Sequence, residues 1–307
     1  MAQSALRRVT SNLMLGATAG YVVAVGGAML WLRVAPTPDF LVVALAPALF
    51  FAHRFGSWIR DWAPFVVAFL LWDGLRALAG HVATSRVSPG GLVVDRALFG
   101  DPVPPVALQH AAAAVHLAGA ADLLATVADL GHFPGIFALA LVVWLKNRPA
   151  FTLYAEALFA TAFTALVVFM IWPTAPPWFA AEQGDLAGLR HVMNEVMTVR
   201  WSGFYDSLDP NRFAALPSLH AALPLLGFLA LRRLRSRLAW VALAWTLLVW
   251  VSIVYLGEQY VADVPAGAGL AGAWWVAVTH RRSVLVTLRA WRTRAAPQPG
   301  LGRTSTS

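Results

Sequence analysis

The sequence predicts an all-α fold, a polytopic bundle of helices that crosses a membrane about eight times. Of its 307 residues, 59% are hydrophobic and 12% are charged, whereas a soluble domain has about twice that charged fraction. The apolar residues form runs close to the roughly 20 residues that a helix needs to cross a bilayer. These runs lack the alternating pattern of a membrane β-barrel, so helices are the remaining structure that can satisfy their backbone hydrogen bonds in lipid.

Eight apolar segments are candidate spans, and turn residues or charged residues separate them. The candidate spans are residues 13–32, 40–52, 62–79, 121–145, 152–172, 219–231, 238–256 and 261–278. The second segment is short, and it is either re-entrant or a full crossing. Residues 80–120 form a long connection whose apolar part, 106–120, suits the membrane interface, and residues 173–216 form the longest polar loop inside the bundle.

The distribution of Lys and Arg predicts the orientation, with both termini in the cytoplasm. In that orientation, 16 of the 23 basic residues face the cytoplasm. The other seven face outside, namely Arg33, Arg76, Arg86, Arg96, Arg190, Arg200 and Arg212. If the second segment does not cross, the N-terminus changes side, but the chain from the fourth span onward keeps its orientation. The polar loop 173–216 therefore faces away from the cytoplasm.

Three parts of the chain differ in composition. Residues 1–60 are accessory N-terminal spans, residues 61–280 are the main membrane domain, and residues 281–307 are a basic cytoplasmic tail of disordered composition. The net charge of +8 follows from basic clusters between spans, so we expect the lipid bilayer as a partner and no nucleic acid. The absence of cysteine and the scattered histidines predict no metal and no cofactor.

One stretch that carries chemistry opens the sixth span. Pro217 and Ser218 favour a helix start, because proline fits the first turn and serine can cap free N–H groups. His220 then lies in the first turn of a helix that enters the membrane, where an ionisable side chain is costly and indicates function. The N–H groups and the dipole at such a helix start favour a bound anion, phosphate especially.

Two further helix ends reach the same outer face. The fifth span ends in the proline-rich residues 171–178, and residues 252–267 join the seventh span to the eighth. Gln259 and Asp263 are four apart, so on a helix they share one face, and Asp263 could accept a hydrogen bond from residue 259. Ser252 lies two turns before Gln259 if that helix continues. Helix ends that meet in one plane suit a site for a lipid headgroup whose tails stay in the bilayer.

These stretches resemble the type-2 phosphatidic acid phosphatase (lipid phosphate phosphatase) superfamily. The matching segments are Pro217-Ser218-Leu219-His220 and Gly257-Glu258-Gln259-Tyr260-Val261-Ala262-Asp263 followed by Gly267. They are closest to the inositol phosphorylceramide synthase-like (inositolphosphotransferase) branch of actinobacterial type. The resemblance implies a six-helix phosphatase-like core, a lipid substrate and a bacterial plasma membrane. It also implies that His220 protonates the leaving group, that position 259 attacks phosphorus as a histidine, and that Asp263 orients this nucleophile.

The sequence departs from this family at the nucleophile, which is Gln259 instead of histidine. An amide has no basic lone pair near neutral pH and cannot take part in phosphoryl transfer as imidazole does. The superfamily's Lys-x6-Arg-Pro motif is also missing, and the proline-rich residues 173–178 occupy its place. Many members of the superfamily have an arginine directly after the serine that corresponds to Ser252, whereas this chain has Ile253. The inositolphosphotransferase branch often lacks that arginine too.

Several other residues are candidates for substrate binding. A guanidinium group matches the geometry of phosphate, although a solvated loop charge explains each loop arginine equally well. The candidates are Ser218, Ser252, Tyr255, Arg190, Arg200 and Arg212. Asp73 and Arg76, three apart, predict a local ion pair or a headgroup contact. Asp122 and Asp129, seven apart, predict one polar helix face that points into the bundle.

The sequence therefore favours an integral-membrane lipid phosphatase or phosphotransferase-like protein. Its substrate is a phosphate or phosphodiester lipid at the extracytoplasmic face, with inositol phosphate transfer as one form of the reaction. Two alternatives follow from Gln259: an inactive family member that binds phospholipid, and an engineered replacement of the nucleophile. A transporter is disfavoured because the chain shows no paired half-helices. Substrate identity, acceptor and oligomeric state stay open.

Overall fold

The computed structural model describes residues 55–82, 87–197 and 211–295. Within these ranges the chain forms ten helices and no β-strand, which confirms the all-α prediction. The helices are α1 (Phe55–Val82), α2 (Gly90–Phe99), α3 (Pro104–Ala114), α4 (Ala118–Lys146), α5 (Arg148–Ile171), α6 (Pro177–Glu182), α7 (Val192–Val196), α8 (Leu219–Arg233), α9 (Leu238–Leu256) and α10 (Asp263–Ala295). The first two candidate spans lie outside the described residues.

Three helices, α4, α5 and α9, are long and apolar enough to cross a membrane. They coincide with the fourth, fifth and seventh candidate spans. Helices α1, α8 and α10 occupy the positions of the third, sixth and eighth. Helix α8 has 15 residues, fewer than the roughly 20 of a full crossing, so the total of eight spans stays a prediction.

The long connection between the third and fourth spans contains two helices, α2 and α3, which the search for apolar runs does not reveal. Both are too short to cross a bilayer. Helix α3 begins with Pro104 and Pro105, because proline fits a first turn whose N–H groups have no partner in the helix. Helix α2 is set against the turn between α9 and α10, where it carries a buried carboxylate that matters for the site.

Helix α8 is the centre of the bundle, since it packs against α4, α5, α9 and α10. Small and branched apolar side chains form its buried surface, among them Ala222, Leu226 and Ala230. Helix α1 packs against α5 through Trp62, whose ring lies 5.2 Å from that of Phe151. Many large apolar side chains on the outside of the bundle are exposed, as a surface that faces lipid requires.

Backbone hydrogen bonds bring the proline-rich stretch after α5 beside the start of α8. The Thr174 N–H donates to the Phe213 carbonyl at 3.0 Å, and the Leu216 N–H donates to Thr174 Oγ1 at 2.8 Å. On its other side, the Ala175 N–H donates to the Ser88 carbonyl at 3.0 Å. Two of the three predicted helix ends therefore meet. The third, the turn after α9, contacts them through the hydrogen bond from the Trp178 N–H to the Gly257 carbonyl.

Candidate active site

A cavity of about 50 Å³ lies where α8 begins. Its walls come from α1, α4 and α8, from the loop before α8 and from the turn after α9. The polar side chains that line it are Arg76, His132, Asn211, Arg212, His220, Glu258 and Gln259. The structure thus brings His220 and Gln259, the two positions that the motifs single out for acid and nucleophile, to one cavity.

Helix α8 begins at the residues that the sequence predicts. Ser218 is the N-cap, and its Oγ accepts a hydrogen bond from the Ala221 N–H at 3.2 Å. Pro217 lies before the cap instead of in the first helical turn. Ser218 is fully buried and does not line the cavity, so its hydroxyl serves the helix start and not the ligand surface.

Gln259 lies in a turn, and the expectation that it shares a helix face with Asp263 and Ser252 is wrong. Helix α9 ends at Leu256, and α10 begins only at Asp263. The helix ends because Gly257 adopts a left-handed conformation, with φ of 80°, that a glycine accepts without strain.

The turn places the Gln259 side chain in the wall of the cavity, where it is 5% exposed. Its backbone N–H donates to the Ile253 carbonyl at 3.1 Å, which ties the turn to the end of α9. Gln259 Oε1 has no hydrogen-bond partner among the described residues. A buried amide oxygen without a partner is costly, so this group is suited to accept a hydrogen bond from a ligand.

Asp263 folds the turn around Gln259. Its Oδ2 accepts a hydrogen bond from the Tyr260 N–H at 2.8 Å, and its carbonyl accepts one from the Ser218 N–H at 3.3 Å. The side chain is 1% exposed and does not line the cavity. Among the described residues, its Oδ1 has no hydrogen-bond partner.

Asp95 on α2 holds the same turn from the other side, and the sequence analysis missed it. Its two carboxylate oxygens accept hydrogen bonds from the Val261 and Ala262 N–H groups, each at 3.0 Å. Burial raises the pKa of this carboxyl above its ordinary value. Gly91 on the same helix packs against the Tyr260 ring, since an added Cβ would lie 2.3 Å from that ring. The sequence signal for this role is that Asp95 is the one acidic residue in the otherwise mostly apolar segment 90–99.

Arg76 on α1 reaches the cavity. It forms the predicted ion pair with Asp73, at 3.1 Å, and it is 9% exposed. Its guanidinium carbon lies 5.1 Å from the centre of the Trp72 ring and 5.5 Å from that of Phe133. Ring faces attract cations, so the two aromatic side chains hold the guanidinium at the cavity wall.

Of the three loop arginines, only Arg212 lies at the cavity in the part of the chain that the structure describes. Arg190 instead pairs with Asp122, at 2.9 Å, and with Glu195. Its hydrogen bonds to Glu195 and Asp122 raise the pKa of Arg190, so its charge is engaged within the protein. Arg200 lies outside the described residues.

Tyr255 and Ser252, both predicted to bind substrate, are buried in α9 away from the cavity. The Tyr255 hydroxyl donates to Asp122 Oδ1 at 2.5 Å. Gln109 Nε2 donates to the Tyr255 carbonyl at 2.9 Å and to the Arg190 carbonyl at 3.1 Å. These contacts connect α3, α4, α9 and the loop that contains Arg190, so the structure gives Tyr255 a part in a packing network.

The polar face of α4 points into the bundle, as the spacing of Asp122 and Asp129 predicts. Asp129 Oδ1 lies 3.5 Å from His220 Nε2. The His132 ring, three residues further along α4, lies 4.3 Å from the His220 ring, centre to centre. No sequence motif connects α4 to α8, so the sequence does not reveal that Asp129 and His132 belong to the site.

Trp178 and Glu258 form one wall of the cavity. Glu258 Oε2 accepts a hydrogen bond from Trp178 Nε1 at 3.1 Å, and the Trp178 N–H donates to the Gly257 carbonyl at 2.9 Å. The Trp178 ring stacks on His191, with ring centres 4.8 Å apart and planes 10° apart. Burial lowers the pKa of His191, so the neutral ring is the favoured partner in this stack.

The charges at the cavity favour an anionic ligand. Two guanidinium groups, those of Arg76 and Arg212, line it together with one carboxylate, that of Glu258. The side chains of Arg76, Arg212 and His220 can donate hydrogen bonds to phosphate oxygens. The side chain at position 259 can donate and accept hydrogen bonds but cannot form a stable bond to phosphorus.

A family model described as the PAP2 superfamily matches residues 92–277, more than half of the 307-residue chain. The matched region contains His220, Gln259 and Asp263, whereas Arg76 lies before it. No curated protein and no solved structure matches the chain.

Proposed function

The chain belongs to the PAP2 superfamily, and on that premise we propose that it is an integral-membrane lipid phosphatase or phosphotransferase. Membership supports a phosphatase-type, lipid-modifying activity. The observation that carries the proposal is the single cavity lined by His220, Gln259, Arg76 and Arg212. The substrate in this proposal is a phosphate or phosphodiester lipid that enters from the extracytoplasmic leaflet of a bacterial plasma membrane, with both termini of the protein in the cytoplasm.

Each lining residue has a role in the proposed reaction. Arg76 and Arg212 bind the phosphate oxygens and balance their charge. His220 gives a proton to the departing lipid oxygen as general acid. Water completes a phosphatase reaction, and a second alcohol, such as that of inositol phosphate in the branch that the sequence resembles, completes a transferase reaction.

Gln259 favours a second candidate function, that of a non-catalytic phospholipid-binding member of the family. The cavity retains the cations that would hold a phosphate, while an amide stands where the family has its nucleophile. Such a protein would bind the lipid phosphate reversibly and form no bond to phosphorus.

One set of variants separates these functions. Release of phosphate from phosphatidate, and headgroup transfer from phosphatidylinositol, would be measured in detergent for the unaltered chain, Gln259→His and Gln259→Asn. We expect turnover and an acid-labile phosphoenzyme in Gln259→His, with both lost when His220→Ala is added. Gln259→Asn is the matched control, because it changes the side-chain length but keeps the amide.

The other outcomes each have a clear meaning. Turnover by the unaltered chain that His220→Ala abolishes would show that position 259 is not the nucleophile. Binding of phosphatidate by the unaltered chain without turnover, whether or not Gln259→His turns over, would support the second function. The absence of both turnover and phosphatidate binding would overturn both functions.

A further inference from the structure

Helix α4 carries two ionisable side chains that face His220. Asp129 and His132 are three residues apart and therefore lie on one face of the helix. Both are buried, at 7% and 2% exposed, in a helix whose composition suits a membrane span. Ionisable residues in such a helix are costly and indicate a function. They belong to neither of the motifs that carry the family resemblance.

The contact between Asp129 and His220 joins a carboxylate to the ring nitrogen of an imidazole. Asp129 Oδ1 lies 3.5 Å from His220 Nε2, and this oxygen has no hydrogen-bond partner among the described residues. A buried carboxylate oxygen without a hydrogen-bond partner is unfavourable, which favours closure of this pair. A hydrogen bond of about 2.9 Å requires a shift of roughly 0.6 Å, well within the motion of a side chain.

His132 fixes the plane of the same ring. The two imidazole centres are 4.3 Å apart, and their planes differ by 38°. Rings in contact leave no room for a phosphoryl group between them, whereas attacking and leaving groups lie on opposite sides of phosphorus. His132 therefore cannot act as a nucleophile in line with His220 as the acid, and its role is to pack against the His220 ring.

We propose that Asp129 is a positioning residue for His220. The imidazole of the proposed general acid then has its carboxylate partner on α4. This inference deepens the proposed function, on which it rests for the role of His220. A carboxylate that accepts the proton of one imidazole nitrogen fixes the ring orientation and the tautomer, and it leaves the other nitrogen for the reaction. Because Asp129 faces Nε2, the nitrogen that serves the substrate is Nδ1.

The proton balance of the reaction follows from this assignment. As the phosphorus–oxygen bond to the lipid breaks, Nδ1 gives its proton to the departing oxygen, which leaves as an alcohol. The oxygen of a water molecule, or of an acceptor alcohol, forms the new bond to phosphorus and releases one proton. That proton restores the one that His220 donated.

The first test observes the ring directly by nitrogen NMR of the full chain in detergent, with labelled histidine. The His220 signals are identified by their loss in His220→Gln. We expect the Nε2–H tautomer of neutral His220 in the unaltered chain, a mixture of tautomers in Asp129→Asn, and the Nε2–H tautomer again in Asp129→Glu. Asp122→Asn, the same substitution two turns earlier on α4, is the matched control and leaves the His220 signals unchanged.

The second test uses turnover, in whichever of the unaltered chain and Gln259→His is active. Asp129→Asn should lower kcat by about 10- to 100-fold and leave KM within about twofold, as loss of an orienting partner does. Unchanged kcat, or His220 NMR signals that are the same with and without Asp129→Asn, would overturn the inference. If neither chain turns over, the proposed function fails, and the NMR comparison alone decides the role of Asp129.

Discussion

Gly267 on α10 lies against the carbonyl oxygen of Ser218, the residue that caps α8. A Cβ atom on Gly267 would lie 2.0 Å from that oxygen and 3.1 Å from the Ser218 nitrogen. One turn earlier on α10, the Asp263 carbonyl accepts a hydrogen bond from the Ser218 N–H. This close approach joins the helix that carries His220 to the helix that follows the Gln259 turn, so it sets how the two halves of the site face each other.

Gly267→Ala should therefore destabilise the protein. The added methyl group meets backbone, which cannot rotate away, so α10 must move from α8 at a cost of about 1 to 3 kcal/mol. We expect a lower midpoint of thermal unfolding in detergent and weaker binding of phosphatidate. Gly272→Ala on the same helix is the control, because nothing beyond the adjacent backbone of its own helix lies within 4 Å of its added Cβ. An equal loss of stability in both variants would contradict the explanation.

Local signals in the sequence were sufficient to predict the long helices and the start of α8. Apolar runs identify α4, α5 and α9, and the Pro217-Ser218 pair identifies a helix start because it reflects local capping chemistry. The turn after α9 was harder to foresee, since spacing of four residues indicates a shared face only if a helix continues. Gly257 was the visible signal that it does not.

Most of the site could not be predicted, because its residues come from segments that are far apart in the chain. Asp95 and Asp129 meet the motif residues only through packing of α2 and α4 against the rest of the bundle. The same reason explains Arg190, which looked like a loop cation near a phosphate site. Its acidic partner Asp122 lies 68 residues away in the chain, so the local sequence does not predict that ion pair.

Asp95→Asn should loosen the turn that carries Gln259. The asparagine keeps one acceptor oxygen but turns an amide NH2 group towards one of two backbone N–H donors, so a buried hydrogen bond is lost at a cost of about 1 to 3 kcal/mol. We expect a lower unfolding midpoint and faster amide hydrogen exchange at Val261 and Ala262. Asp101→Asn, an exposed acidic residue just after α2, should leave both unchanged. Unaltered exchange in Asp95→Asn would show that the turn is held by other contacts.

Acidification should destabilise the cavity wall at Trp178, because His191 stacks on that ring. Burial places the pKa of His191 in the folded protein below 6.5, its ordinary value. The folded state therefore favours the neutral ring, and the stability that follows is present above pH 6.5 and is lost as the pH falls through the lowered pKa. Between about pH 8 and pH 5, the unaltered chain should lose more unfolding free energy than His191→Phe, which keeps a ring on Trp178 but cannot titrate.

The comparison with His191→Phe removes this ring together with its contact with Glu182, whose Oε1 lies 3.3 Å from His191 Nδ1, and leaves every other titrating residue in place. The measurement is the midpoint of thermal unfolding as a function of pH in a detergent of constant composition. Parallel pH dependence in the two chains would rule out a contribution from His191.

Arg76 should be required for binding of phosphate, although it lies outside the region that the family model matches. Its guanidinium lies close to two aromatic rings, those of Trp72 and Phe133, at the cavity wall. Arg76→Gln removes the charge, and a lost charge-assisted hydrogen bond of about 1.5 to 3 kcal/mol corresponds to a rise in Kd of more than about 10-fold. Arg76→Lys keeps the charge but lacks the planar group that stacks on rings and pairs with two oxygens. Its Kd should therefore lie between that of the unaltered chain and that of Arg76→Gln.

Isothermal titration of a short-chain phosphatidate into the chain in detergent measures these constants. Arg96→Gln is the matched control, because Arg96 pairs with Asp101 and does not line the cavity. Its Kd should equal that of the unaltered chain. If Arg212→Gln weakens binding while Arg76→Gln does not, the phosphate lies against the loop before α8. In that case Arg76 serves only to pack α1 against the aromatic side chains around it.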